Sequence, residues 1–272
     1  MAEYSFYPKR KRSLFGMFSV TTRLIIANIA FYLTSLFIIF AYGEEFFLRN
    51  VALTPSLILA GKSMWTFLTS MFSHVSFFHI FVNMFSLFFV GSFLEKLIGG
   101  KRFFLVYLIA GLVGGVFFVF SGMAFGNDTP GIGASGALFG ILGVLAVLVP
   151  YSKIYLIVGP LILILLQVIL TPVIPAGFSS VFTMIVNILM IFMIFGIFSF
   201  NSNVRKFAVP IELSMWLLPI VAIVPLLIIE IFVDLPIGNS AHIGGLFLGL
   251  LYGFYLRRKY PKKTVYISRY FR

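Results

Sequence analysis

Residues 103–122 read FFLVYLIAGLVGGVFFVFSG, twenty residues without a charge, directly after Lys101 and Arg102. At about 1.5 Å per residue, such a helix crosses the roughly 30 Å hydrocarbon core of a bilayer. Working outward from it, seven further runs have the same character: 22–42, 76–95, 132–149, 154–172, 179–200, 213–233 and 238–256. The run at 22–42 lacks a small-residue cleavage site and reads as a span rather than a cleavable signal. Of the 272 residues, 61% are hydrophobic and 10% charged, against roughly 45–50% apolar and 25% charged in a soluble domain. The bilayer must therefore be the solvent for most of the chain. The expected fold is an all-α polytopic transmembrane helix bundle of eight spans. Its expected organisation is a basic tail over 1–21, one transmembrane domain over 22–258 and a second basic tail over 259–272.

The chain carries a net charge of +12, and its distribution orients the bundle. Five Lys and Arg residues fall at or before Arg23, three between Lys96 and Arg102, then Lys153, the pair Arg205 and Lys206, and seven from Arg257 onward. These 18 lie on one side of an eight-span bundle, and only Arg49 and Lys62 lie on the other. The positive-inside rule then predicts a cell-membrane protein with both termini cytoplasmic. The excess is explained by topology and contact with anionic lipid headgroups, so no nucleic-acid partner is expected. The chain has no Cys, which excludes disulfides, thiolate metal sites and a cysteine nucleophile; no metal or other cofactor is expected.

Ionisable and nucleophilic residues inside spans are functional candidates. His79 lies near the start of the second span with Asn83 one turn deeper, Ser135 near the start of the fourth, and His242 near the start of the last. All three spans begin on the outer side, so these groups share a depth of roughly 5–10 Å below the outer surface. Each has an ordinary reading: a lone serine in a span commonly bonds back to its own backbone, His79 and Asn83 face each other at i, i+4, and His242 can serve as interhelical glue. Their coincidence in depth is what points to chemistry. A serine hydroxyl needs an adjacent base, which histidine supplies, and acyl transfer needs donors aimed at the developing oxyanion. Gly131, Gly133 and Pro130 predict that the fourth helix starts close to Ser135, offering the free N–H groups of its first turn. Ala241, Gly245, Gly249 and Gly253 on the last span, and Gly136 and Gly140 on the fourth, form small-residue faces expected to meet.

These residues resemble the rhomboid family of intramembrane serine proteases. Gly133-Ala134-Ser135-Gly136 looks like its GxSG nucleophile motif, Ala241-His242 with Gly245 and Gly249 like AHxxGxxxG, His79 to Asn83 like HxxxN, and Glu95, Gly99 and Phe103 like ExxxGxxxF. The resemblance implies a serine endopeptidase acting on transmembrane protein substrates, with Ser135 as nucleophile, His242 as general base and no buried aspartate. His79, Asn83 and Gly133 would shape the oxyanion site, which would open toward the extracellular side. It also implies a six-helix core. The alternatives are a non-catalytic rhomboid-like protein that binds membrane helices and, more remotely, a transporter; retention of both Ser135 and His242 favours the protease.

Two departures stand out. Many family members carry Trp-Arg in the first outer loop, where this chain has Trp65-Thr66. A helix pair, about 152–203, is inserted before the last two core helices, and its place in the bundle is open. An even insertion is the only kind that keeps His242 on the outer side. The resemblance suggests that 213–233 borders the substrate gate, with 234–240 capping the site. His74 is expected to be structural.

Overall fold

The computed structural model describes residues 18–171, 173–196, 198, 201–207, 209–230 and 238–271. Lys9 to Arg12, Asp234 and most of the segment expected to cap the site lie outside the described residues. Among the described residues α1 (Val20–Tyr42) comes first, followed by three short helices of the loop expected on the outer side, α2 (Glu44–Asn50), α3 (Pro55–Leu59) and α4 (Thr66–Thr69). Next, α5 (Phe77–Ser86) passes through a π turn at Leu87–Gly91 into α6 (Ser92–Ile98), followed by α7 (Gly100–Phe125) and α8 (Ser135–Leu148). The segment expected to be inserted holds β1 (Lys153–Ile157), α9 (Val158–Leu170), α10 (Ala176–Gly196) and α11 (Ser202–Phe207). β2 (Pro210–Ser214), α12 (Leu218–Glu230), α13 (Asn239–Lys259) and α14 (Pro261–Tyr270) complete the chain.

Four described helical stretches are long and apolar enough to cross a membrane: Val20–Tyr42, Phe77–Ile98, Gly100–Phe125 and Gly177–Gly196. Shorter apolar helices accompany them, α8 among them. The protein is an all-α polytopic membrane bundle with one small ribbon. That ribbon corrects two expected spans, 154–172 and 213–233, whose first residues are strand rather than helix. β1 and β2 pair antiparallel, Lys153 opposite Ser214 and Ile157 opposite Pro210. The physical reason is local. Ile154, Tyr155, Ile157 and Ile211 are β-branched or aromatic and suit a pleated ribbon, Pro210 occupies the tolerated first strand position, and Lys153 pairs with Glu212 at 3.6 Å. The helices that follow have only 13 residues each.

Helix association in lipid gains little from apolar burial and depends on close packing and polar contacts. The small-residue faces of α8 and α13 meet: a Cβ at Gly245 would fall on the Gly136 carbonyl, and one at Gly249 on the Gly140 carbonyl. On the other side of the pair, Gly114 of α7 leaves room for the Ala241 carbonyl. Polar ties add specificity. The Glu95 carboxylate accepts from the backbone N–H groups of Val20 and Thr21, both at 2.8 Å, and from the Thr21 hydroxyl at 2.7 Å, capping the first turn of α1. Asn28 donates to the Tyr107 hydroxyl at 3.1 Å between α1 and α7.

The end of α10 lies against α5. Phe195 meets Phe81 at a ring separation of 5.6 Å, and Phe198 meets Phe85 and Phe89 at 6.4 and 5.8 Å. The order of these contacts makes α5 and α10 run the same way.

Replacing Gly249 by Leu is expected to destabilise the bundle by about 1–3 kcal/mol, since the added side chain collides with backbone. Gly177→Leu, at a position with open space, is expected to be near neutral. Thermal unfolding in detergent, compared between the two variants, checks this.

Candidate active site

Ser135 is the first residue of α8, after Ala134 at φ −78°, ψ −2°. Its own N–H and the next two therefore lack intrahelical acceptors. The loop before it is tied to the outer-loop segment. Leu53 and Gly131 exchange two backbone hydrogen bonds of 2.9 Å, and Gly133 N–H donates to the Ser70 carbonyl at 2.8 Å. Gly133 stands at φ +124°, a region that favours glycine. A Cβ there would come within 2.8 Å of the His79 imidazole.

His242 enters from α13, one turn after its start, and His242 Nε2 lies 2.8 Å from Ser135 Oγ. The residue is 6% exposed, so solvent competes little for this contact. Nδ1 is buried and has no hydrogen-bond partner among the described residues. The ring is held instead by stacking on Phe139, with centroids 4.4 Å apart and planes at 24°. Phe139 was not singled out by sequence reasoning. Its signal is its spacing: four residues after Ser135, it occupies the same helix face one turn deeper.

His79, the third residue of α5, sits beside Gly133 and therefore beside the loop that precedes Ser135. Asn83 is buried, and its amide donates to the His79 carbonyl at 2.9 Å; its second N–H remains available to another acceptor. The structure thus brings Ser135 and His242 into direct contact and His79 against their loop, with Asn83 one turn below. His74 is fully buried and sets its ring edge-on to His79 at 4.8 Å. Burial, reinforced by His79, pushes its pKa down to about 3, so it stays neutral and acts in packing. Two acids lie near this end of the bundle: Asp128 accepts from the Ser56 N–H at 2.7 Å and hydroxyl at 2.6 Å, and Glu230 accepts from Asn239 at 2.7 Å. Neither bonds His242. Trp65 donates its ring N–H to the Asn50 carbonyl at 2.8 Å and so braces the outer loop.

A polytopic helical bundle with a serine on one helix start and a histidine against it from a glycine-packed partner defines a class of membrane protein, and the comparisons say which. A family model for the rhomboid domain matches residues 61–188 and 188–259. The chain belongs to the rhomboid family. It is 38% identical over 95 residues to Rhomboid protein 1, mitochondrial, of Saccharomyces cerevisiae, covering 34% of this chain and 27% of that protein. It is 42% identical over 91 residues to Rhomboid protease GluP of Bacillus subtilis, covering 33% and 17%. To a protein named Inactive RHOMBOID-like protein 8 of Arabidopsis thaliana it is 36% identical over 80 residues, covering 29% and 22%. The matched segments thus span about a quarter or less of these relatives.

Removing the stacking ring in Phe139→Ala is expected to slow probe labelling of Ser135 by about 10- to 100-fold, because small misplacements of a base carry penalties of that order. Phe139→Tyr, which keeps the ring, is expected to stay within a few-fold of wild type. The labelling rate of both variants, with melting temperatures in parallel, checks this.

Proposed function

We propose that the chain is an intramembrane serine endopeptidase that cleaves peptide bonds in or near transmembrane segments of other membrane proteins. The observation that carries this reading is the 2.8 Å contact between His242 Nε2 and Ser135 Oγ, within the hydrogen-bond reach a nucleophile and its base require. With the imidazole proton on Nδ1, Nε2 accepts the serine proton as Oγ bonds to the substrate carbonyl carbon. The carbonyl oxygen becomes an oxyanion and is received by the Ser135 N–H at the start of α8 and by side-chain donors of His79 and Asn83. His242 then gives its proton to the departing amine as the C–N bond breaks. Water attacks the acyl ester, passing a proton through His242 back to Ser135. Gly133 keeps the approach open, since any Cβ there would displace His79.

A substrate helix hides its carbonyls in its own hydrogen bonds, so it must unwind before attack; helix breakers and small residues near the outer interface favour that. The charge asymmetry supports cytoplasmic termini and a site facing the extracellular side. A second reading, a non-catalytic binder of membrane helices, has behind it the relative whose name marks it inactive.

In proteoliposomes with a single-span reporter, wild type is expected to release two fragments. Ser135→Ala and His242→Ala are expected to lose on the order of 10³-fold or more in rate. Full activity of either variant refutes the assigned pair. A folded wild type that neither cleaves the reporter nor labels at Ser135 with a fluorophosphonate favours the non-catalytic reading.

A further inference from the structure

The basic end of the bundle, about 20 Å along α8 from Ser135, holds a second feature that peptide cleavage does not use. A crevice of about 200 Å³ opens between the end of α8, the last turn of α13 and the terminal helix α14. Arg257 of α13 and Arg269 of α14 line it with Ser268 and Tyr151, and Leu148 and Val265 form part of its apolar wall. None of its lining residues is acidic. Arg257 and Arg269 thus border a hollow whose described lining carries positive charge and no acidic residue.

The surroundings fix its depth in the bilayer. On α13, exposed apolar side chains continue as far as Phe254, 57% exposed, and Arg257, Arg258 and Lys259 follow within the last turn. The crevice thus sits where a lipid-facing surface gives way to a basic one, at headgroup level. α14 has the character of an interfacial helix. Ile267 and Phe271 pack on the core and Phe271 meets Phe93 at 5.1 Å, while Val265, Tyr266 and Tyr270 are exposed. Exposed tyrosines and basic residues on such a helix suit the boundary between headgroups and acyl chains.

We infer that this crevice binds the phosphate of an anionic glycerophospholipid, with Arg257 and Arg269 as its ligands and α14 as its clamp. The arginine fork matches phosphate oxygens, Ser268 supplies a hydroxyl for the polar headgroup, and the Leu148 and Val265 wall takes the start of an acyl chain. The apolar wall is what selects a lipid over a free anion. Basic pockets between helices at a membrane surface are suited to such headgroups.

The test uses the full chain purified in zwitterionic detergent, with retention of added phosphatidylglycerol or phosphatidylcholine followed by native mass spectrometry. Wild type is expected to retain phosphatidylglycerol selectively. The double variant Arg257→Gln, Arg269→Gln is expected to lose roughly 25-fold in retention, about fivefold per arginine. The charge-matched control Arg258→Gln, Lys262→Gln is expected to lose no more than a few-fold, and Arg257→Lys, Arg269→Lys to recover most of the binding. Equal losses in the two glutamine doubles, or equal retention of the two lipids, overturn the inference. Competition by inorganic phosphate at the concentration at which the lipid binds also overturns it, by assigning the crevice to a free anion. Unchanged melting temperatures without lipid show that the variants are folded. Reporter cleavage plays no part in the readout, so the result is independent of the proposed protease activity.

Discussion

Everything at the candidate site depends on how closely α8 and α13 approach. In a bilayer the two helices gain little by hiding apolar surface from each other, since lipid is as apolar as they are. Backbone-to-backbone packing at Gly136 against Gly245, and at Gly140 against Gly249, supplies the contact instead. That contact also sets a register. Gly136 follows Ser135 directly, and Gly245 lies three residues past His242. Fixing the glycine pair therefore fixes the separation of Oγ and Nε2, and the short contact between them follows from helix geometry and needs no flexible loop.

The outer loop completes what the helix pair begins. The strand-like exchange between Leu53 and Gly131, the Ser70 carbonyl on Gly133 and the Asp128 carboxylate on Ser56 hold the loop before Ser135 from outside. Trp65 on Asn50 and Thr69 on Val51, the latter at 2.9 Å, brace that segment against itself. A positive-φ glycine beside a histidine is a demanding conformation, and this lattice of backbone bonds is what maintains it. The loop is thus part of the site, although among its residues only the carbonyl of Ser70 reaches Gly133 directly.

The sequence made some of this legible and hid the rest for physical reasons. Long uncharged runs such as 103–122 announce helices because the bilayer demands satisfied backbone over a fixed length. Ser135, His79 and His242 stand out because polar residues near the same end of three spans are conspicuous. The ribbon of 153–157 with 210–214 was hidden because a five-residue apolar strand at the end of a helix-like run carries no distinct period. Phe139 was hidden among 35 phenylalanines; only the position of His242 makes that one a stacking partner. The place of α10 was equally unreadable, since Phe81, Phe85 and Phe89 look like any lipid-facing stripe until Phe195 and Phe198 are set against them.

The Phe139 stack also bears on why such a site can do without an acid. In water-exposed serine hydrolases a carboxylate orients the histidine and steadies its cation. Among spans that enclose His242, a carboxylate would itself be a charge needing desolvation, at a penalty of several kcal/mol unless fully paired. A flat aromatic ring at 4.4 Å restricts the imidazole to one plane without adding charge, and a face-on ring also favours a cation when the histidine takes up a proton. In the proposed reaction, the helix start at Ser135 would supply dipoles where negative charge develops, so both halves of a transient ion pair would meet preorganised neutral groups. On the proposed reading, a charge-poor bundle would in this way hold acyl-transfer chemistry at a depth where a buried carboxylate would weaken the fold.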